Sequence, residues 1–210
     1  WMDGRRSQLM IAALDEDGTL GEPRLLSKGI NGDIPSKPFG DASEYAFSPD
    51  GSTIYFSVRN LSAGEPWSTN FDIYAVPSDG SAEPKNLTAS NPAWDAYPLP
   101  SRDGNTLYYL AMARPGMESD RFAIKAMHLD TGETREVAGD WDRSAGPLKE
   151  SVDGKTLYTT TDDNGQHPLF AISVANGKVQ RIVSGGQVSG FDVGAKSLLV
   201  SRHDLRRPAD

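Results

Sequence analysis

The chain has 210 residues, a formal net charge of −8 and no cysteine. The acidic balance argues against a nucleic-acid partner, because phosphate binding needs clustered lysine and arginine side chains. No apolar run approaches the roughly 18 residues that a membrane-spanning helix needs. The absence of cysteine excludes disulfides, thiolate metal sites and a cysteine nucleophile.

The first predicted elements are two short strands near the amino end. Gln8–Leu14 and Pro23–Ser27 flank the turn signal Asp15-Glu16-Asp17-Gly18. An Asp-Gly pair between two such segments predicts a hairpin, since glycine takes the left-handed position of the turn. We interpret the pair as the third and fourth strands of a four-stranded unit.

A hairpin signal then recurs three times, and its successive glycines are 53 and 50 residues apart. Each signal is followed by threonine, a bulky apolar residue and tyrosine, a run that favours a β-strand. The signals are Ser48-Pro49-Asp50-Gly51, Ser101-Arg102-Asp103-Gly104 and Ser151-Val152-Asp153-Gly154. The strands predicted before them are Ser43–Ser48, Ala96–Pro100 and Gly146–Glu150, and those predicted after them are Thr53–Val58, Thr106–Ala111 and Thr156–Thr161.

Each repeat continues with a second predicted hairpin. The strand pairs are Asp72–Val76 with Pro84–Thr88, Phe122–Leu129 with Thr134–Ala138, and Leu169–Val174 with Val179–Val183. The last predicted pair, Val188–Val193 with Ser197–Arg202, resembles the first two strands of a further repeat.

These elements predict an all-β chain folded as a β-propeller with four-stranded antiparallel blades, since a period of roughly 40 to 50 residues with several short strands is typical of that fold. Three complete blades are expected at about residues 41–88, 94–138 and 142–184, with half blades at 1–29 and 187–204. Half blades leave open sheet edges. Either they pair into a fourth composite blade or the chain is part of a larger ring, and we favour the larger ring.

Antiparallel geometry places all the Asp-Gly hairpins on one face of such a propeller and the irregular connections on the other. Loops on a rigid scaffold commonly carry binding sites, so the irregular face is expected to be functional. Its loops are Asn60–Asn70, Ala89–Asp95, Arg114–Asp120, Gly139–Ser144 and Asp162–His167.

The sequence carries no sign of a catalytic centre. It has no Gly-x-Ser-x-Gly elbow, and its three histidines are not at metal-ligand spacing. We therefore predict no catalytic residue, no metal and no cofactor. The candidate substrate-binding residues are Glu65, Trp67, Asn70, Arg114, Glu118 and Asp120 in two of the irregular loops. The alternative is that Trp67 and Phe71 cap the core between blades while Glu65 is solvated.

Several segments between about Asp41 and Asp192 resemble the propeller of bacterial prolyl-oligopeptidase-family serine peptidases. The branch they are most similar to contains the dipeptidyl-peptidase V and acylaminoacyl-peptidase-like enzymes. The segments are Glu65-Pro66-Trp67-Ser68-Thr69-Asn70-Phe71-Asp72-Ile73-Tyr74, Asn91-Pro92-Ala93-Trp94-Asp95, Asp120-Arg121-Phe122 and Gly165-Gln166-His167-Pro168-Leu169-Phe170.

The resemblance implies a propeller of seven or eight blades that covers an α/β-hydrolase domain carrying the Ser-Asp-His machinery. The expected partners are a short peptide substrate and the blades and hydrolase domain of a longer parent chain, without nucleic acid or membrane insertion. The resemblance also implies a periplasmic or secreted location. A peptide's cationic amino end would pair with Glu65 or Glu118, and Trp67 would contact an apolar side chain.

A non-enzymatic binding module, similar to the Tol-associated periplasmic propeller proteins, is the alternative function. Those proteins also use Ser-Pro-Asp-Gly repeats. A Gly-x-Ser-x-Gly elbow encoded downstream of Asp210 would favour the peptidase.

Overall fold

The computed structural model describes residues 5–208. Residues 1–4 of the predicted first half blade, and residues 209–210, lie outside this range. The chain divides into two compact units, and each is described by itself. The amino-terminal unit is Trp1–Pro98 with Ala113–Glu118, and the carboxyl-terminal unit is Leu99–Met112 with Ser119–Asp210.

The first part of the chain forms a two-stranded and a four-stranded antiparallel sheet. The two-stranded sheet pairs β1 (Met10–Ile11) with β2 (Arg24–Leu25). The four-stranded sheet has the order β3-β4-β5-β6, with β3 (Tyr45–Phe47), β4 (Thr53–Val58), β5 (Asp72–Pro77) and β6 (Lys85–Asn86).

Two more four-stranded sheets and a final strand pair follow. One sheet comprises β7 (Asp95–Pro100), β8 (Thr106–Ala111), β9 (Ala123–His128) and β10 (Thr134–Glu136). The next comprises β11 (Lys149–Glu150), β12 (Thr156–Thr160), β13 (Leu169–Ser173) and β14 (Val179–Val183), and the last pair is β15 (Gln187–Val193) with β16 (Leu198–His203). In each four-stranded sheet, strands consecutive in sequence are neighbours. The predicted all-β class with four-stranded antiparallel blades is confirmed.

The first strand of a sheet is shorter than predicted in two cases. Residues Ala42–Glu44 form a 3-10 helix instead of extending β3, because the Asp41 side chain caps it by accepting the Ser43 N–H at 2.8 Å. The predicted strand Gly146–Glu150 is reduced to its last two residues, although the Gly146 N–H still donates to the Thr160 carbonyl.

The three repeated Ser-x-Asp-Gly turns share one hydrogen-bond pattern. The serine hydroxyl donates to the aspartate two residues later at 2.6–2.7 Å and accepts the N–H of the threonine five residues later at 2.9 Å. In the first turn, the hydrogen bond from Ser48, together with those from the backbone and side chain of Ser52, lowers the pKa of Asp50 to about 2. Each glycine has a φ between +70° and +74°, where other residues are strained. The recurring motif is therefore a recurring turn.

Separate apolar side chains fill the core of each unit. In the amino-terminal unit, Phe56 of β4 and Tyr74 of β5 stack with ring centroids 5.7 Å apart, and Leu9 and Leu26 pack in the same cluster. This cluster ties the segments around β1 and β2 to the first four-stranded sheet. In the carboxyl-terminal unit, the fully buried side chains include those of Leu107, Leu110, Leu157, Leu169 and Ile172. Within residues 5–208 there is no helix of the length and apolarity that crossing a membrane requires.

Gly177→Ala is expected to destabilise the protein more than Gly132→Ala. Both glycines lie in hairpins at positive φ, so alanine costs about 1–2 kcal/mol of backbone strain at either position. A Cβ at Gly177 would also lie 2.1 Å from the Val137 carbonyl oxygen, whereas a Cβ at Gly132 meets no atom within 4 Å. Urea denaturation should show the larger loss for Gly177→Ala. Equal losses would contradict the packing argument.

Candidate functional site

The amino-terminal unit contains a cavity of about 330 Å³. One wall is the turn at residues 36–40, and another is formed by Arg59, Thr69 and Phe71 around the predicted loop Asn60–Asn70. The remaining lining side chains are Glu44, Trp94, Tyr97 and Glu118. Only Glu118 among these was predicted as a site residue.

Two of the predicted loops meet beside this cavity. The Gly116 N–H donates to Thr69 Oγ1 at 2.9 Å, which joins the loop Asn60–Asn70 to the residues preceding Glu118. Glu118 itself is exposed. The position of the Glu118 carboxylate at the cavity edge is thus set by a backbone hydrogen bond of its loop.

Asn70 anchors a third segment. With its amide oriented to satisfy both ends, the Asn70 side-chain nitrogen donates to the Ala93 carbonyl at 2.8 Å and to the Asn91 carbonyl at 3.1 Å. Phe71 follows Asn70, and Trp94 follows Ala93. Their two rings stack with centroids 4.8 Å apart. Asn70 therefore positions the aromatic wall instead of facing the cavity.

The Glu65 carboxylate is buried and lies between two arginines. It forms ion pairs with Arg6 and, at 3.5 Å, with Arg59. The hydrogen bond to Glu65 is the largest cause that raises the pKa of Arg6. Arg59 also donates to the Ser68 carbonyl at 2.8 Å and lies 5.0 Å from the centroid of the Phe71 ring. Glu65 thus fixes Arg59 against the aromatic wall.

Asp33 extends the same ion-pair network. It pairs with Arg6 at 3.0 Å and with Lys37 at 2.9 Å, and it accepts the Ser7 N–H at 2.6 Å. Burial raises the pKa of Asp33, but the hydrogen bonds from Lys37, Ser7 and Arg6 outweigh it, so the pKa lies below its ordinary value. The network fastens Lys37, at the start of the turn 36–40, to the amino-terminal segment.

Glu44 places a buried carboxylate in the cavity wall, and the residue is only 7% exposed. Its two oxygens accept the Ser36 N–H and the Ser36 hydroxyl, each at 2.6 Å. Within the part of the chain that the structure describes, no cation pairs with it. Sequence reasoning missed Glu44, because this residue lies in the predicted strand Ser43–Ser48 and not in one of the irregular loops from which the candidate residues were taken.

The other predicted site residues are scattered. Of the two aromatic residues that were considered as caps of the core, Phe71 is buried, whereas Trp67 is 90% exposed. Arg114 is exposed on the same loop as Glu118. Asp120 is buried and belongs to the carboxyl-terminal unit. Their roles in binding stay predictions.

The carboxyl-terminal unit contains a cluster of ion pairs around Asp163. Asp163 is buried between Arg143, at 3.0 Å, and Arg181. A larger groove of about 790 Å³ in this unit runs beside Ser151–Asp153, in one of the Asp-Gly turns, and beside Val193–Leu198, in the last hairpin. Among residues 5–208, no group of three or more histidine, aspartate or glutamate side chains is arranged to hold a metal ion.

The sequence was compared with known proteins. No family model matches it. It is 34% identical over 185 residues to a probable dipeptidyl-peptidase 5 of Arthroderma benhamiae, which covers 81% of this chain and 26% of that protein. It is 28% identical over 196 residues to the dipeptidyl-peptidase 5 of Porphyromonas gingivalis, which covers 92% of this chain and 28% of that protein. The chain thus spans about a quarter of the length of these curated relatives.

Solved structures show the same fold at lower identity. The β-propeller domain of the Trilobed protease from Pyrococcus furiosus has a TM-score of 0.60 at 14% identity, covering 97% of this chain and 61% of that one. An acylaminoacyl peptidase in complex with Z-Gly-Gly-Phe-chloromethyl ketone has a TM-score of 0.62 at 19% identity, covering 93% and 27%. TolB from Acinetobacter baumannii has a TM-score of 0.59 at 16% identity, covering 95% and 44%. At these identities the likeness supports the propeller fold alone.

Glu65→Gln is expected to lower the free energy of unfolding by about 2–3 kcal/mol, because it leaves two arginines side by side without their shared buried counter-ion. Glu83→Gln is the matched control. Its carboxylate is 71% exposed and lies 3.9 Å from Lys28, so its loss should change stability by less than about 0.5 kcal/mol. Denaturant titration of both variants measures the difference, and an equal effect would refute the structural role of Glu65.

Asp33→Asn should lower stability at pH 7 by about 1–2 kcal/mol. Because the folded-state pKa of Asp33 is lowered, its contribution is present above the unfolded value of 3.8 and is lost as the pH falls through the folded value. The difference in stability between Asp33→Asn and the original protein should therefore become smaller below about pH 4. Thermal melts from pH 3 to pH 7 test this, and a gap that widens in acid would contradict it.

Proposed function

The chain is a β-propeller domain of the prolyl-oligopeptidase family of peptidases, and from this premise we propose that it is the non-catalytic part of a serine exopeptidase of the dipeptidyl-peptidase type. In this proposal it gates and helps bind short peptides for an α/β-hydrolase domain located elsewhere in the parent protein. The observation that carries it is the 34% identity to a probable dipeptidyl-peptidase 5 over 81% of the chain.

Catalysis is assigned to the rest of the parent protein. A serine peptidase of the α/β-hydrolase type needs its nucleophile on a Gly-x-Ser-x-Gly elbow, and the 210 residues contain none. The segment on its own is therefore expected to be inactive as a peptidase.

The proposed peptide contact is the cavity of the amino-terminal unit. An α-amino group has a pKa near 7.7–8.0 and is mostly cationic at neutral pH. Glu44, buried without a cationic partner among the described residues, and Glu118 at the edge supply negative charge there. A charge-assisted contact in such a partly buried place is stronger than one at an open surface. An acylaminoacyl peptidase with a similar fold has been solved in complex with Z-Gly-Gly-Phe-chloromethyl ketone.

The residues predicted from the sequence take different parts in this proposal. Glu65 acts indirectly, by fixing Arg59, and Asn70 acts by anchoring the segment before Trp94. Trp67, with its indole exposed, is proposed to contact an apolar side chain of the peptide. Direct roles for Arg114 and Asp120 remain predictions from the sequence.

A non-enzymatic binding module is the second candidate. It is favoured by the likeness to TolB, which extends over 95% of this chain. The two candidates differ in one measurable property, since only a peptidase parent releases dipeptides from a chromogenic substrate.

The test uses the full-length parent protein and a dipeptide substrate offered with a free or an acetylated amino end. Glu44→Gln should raise KM for the free substrate about tenfold, the cost of one charge-assisted contact, and should leave hydrolysis of the acetylated one unchanged. Glu83→Gln, remote from the cavity lining, is the control and should leave both unchanged. A parent that releases no dipeptide would favour the binding module, and equal effects on both substrates would remove Glu44 as the anchor.

A further inference from the structure

Tyr97 has a backbone conformation that its sequence does not predict. Its φ is +56°, and outside glycine only Tyr97 and Asn164 have positive φ among the described residues. Asparagine tolerates this region, whereas a bulky aromatic residue there is an outlier. Pro98 follows directly, and a residue before proline favours an extended conformation. Tyr97 is thus strained on two counts, and such strain is concentrated at functional sites.

The strained residue puts its ring in the cavity wall. Tyr97 lines the cavity together with Glu44 and Trp94, and it is partly buried. Burial, followed by the negative charges of Glu44 and Asp41, raises the pKa of the Tyr97 hydroxyl. The ring therefore stays neutral at physiological pH and lies near the buried carboxylate, so an apolar surface adjoins a negative charge.

A second ring is held at the edge of the same cavity. Phe39 is 94% exposed and lines the cavity from the turn 36–40. This turn is closed by the Gly40 N–H, which donates to the Ser36 carbonyl at 2.7 Å, and a Cβ at Gly40 would lie 2.4 Å from Ser36 backbone atoms. The turn that presents Phe39 is thus anchored at Ser36, the residue that also holds Glu44.

The size of the cavity limits what it can take. A volume of about 330 Å³ is near the lower end of the range for small-molecule sites. It suits one amino-acid residue with its amino group better than an extended peptide. The charge of Glu44 fits the amino group, and the rings of Phe39 and Tyr97 fit an apolar side chain next to it.

We propose that Tyr97 and Phe39 form a specificity subsite for the side chain of a peptide's amino-terminal residue, which favours a large apolar or aromatic side chain there. The inference rests on the proposed function, in which this cavity holds the amino end. The backbone strain at Tyr97 is then the cost of placing its ring beside Glu44.

The test compares two substrates of the full-length parent, phenylalanyl-alanyl and glycyl-alanyl chromogenic amides. Tyr97→Asn keeps a residue that tolerates positive φ but removes the ring, and Phe39→Ala removes the second ring. Each should lower the phenylalanine-to-glycine ratio of kcat/KM about tenfold with little change for the glycyl substrate. Tyr97→Phe keeps the ring and should preserve the ratio.

Thermal unfolding separates this role from a structural one. Tyr97→Asn relieves strain, so its Tm should stay within a few degrees of the original protein while its specificity falls. A large loss of Tm with an equal loss for both substrates would overturn the proposal, and so would an unchanged ratio.

A binding measurement decides the inference independently of catalysis. Calorimetry of a catalytically inactive variant of the full-length parent with phenylalanyl-alanine amide and glycyl-alanine amide should show tighter binding of the first, and Tyr97→Asn should abolish the difference. Equal affinities would overturn the subsite. If acetylating the amino end leaves affinity unchanged while the difference persists, the amino anchor of the proposed function fails and the subsite stands.

Discussion

Each compact unit contains a buried carboxylate held between two arginines, and the loops around it depend on that arrangement. Glu65 pairs with Arg6 and Arg59 in the amino-terminal unit, and Asp163 pairs with Arg143 and Arg181 in the other. A buried charge is costly unless it is paired, so removing one member leaves the others exposed to that cost. These clusters hold residues of the irregular loops Asn60–Asn70 and Asp162–His167.

The turns and strands of the fold could be predicted because their signals are local. In Ser48-Pro49-Asp50-Gly51 the serine, aspartate and glycine each satisfy a contact within five residues. The boundaries were less predictable where a local competitor acted, as when Asp41 capped a short helix and delayed the start of β3. Strand pairing needs only the period and the turn, whereas strand ends depend on such competing caps.

The candidate site could be predicted only in part. Two of the loops that the sequence singled out, Asn60–Asn70 and Arg114–Asp120, contribute Thr69 and Glu118 to the lining of the cavity. It did not reveal that Arg6, nearly sixty residues before Glu65, pairs with it, because such a contact depends on the tertiary fold. Glu44 was missed although its partner Ser36 is only eight residues away, because Ser36 lies across a turn that the sequence did not predict and Glu44 itself was assigned to a strand.

The two residues that sequence reasoning least anticipated lie in one cavity. Glu44 is a buried carboxylate without a cation among the described residues, and Tyr97 is an aromatic residue in the left-handed region before a proline. Glu44 differs in this respect from Glu65 and Asp33, two buried carboxylates of the same unit that are paired with arginine, and Tyr97 differs from the other described residues of the unit with positive φ, which are all glycines. Departures from local rules that fall in the same place are better explained by a shared ligand than by two separate defects of folding. A cationic amino group beside an apolar side chain would account for both.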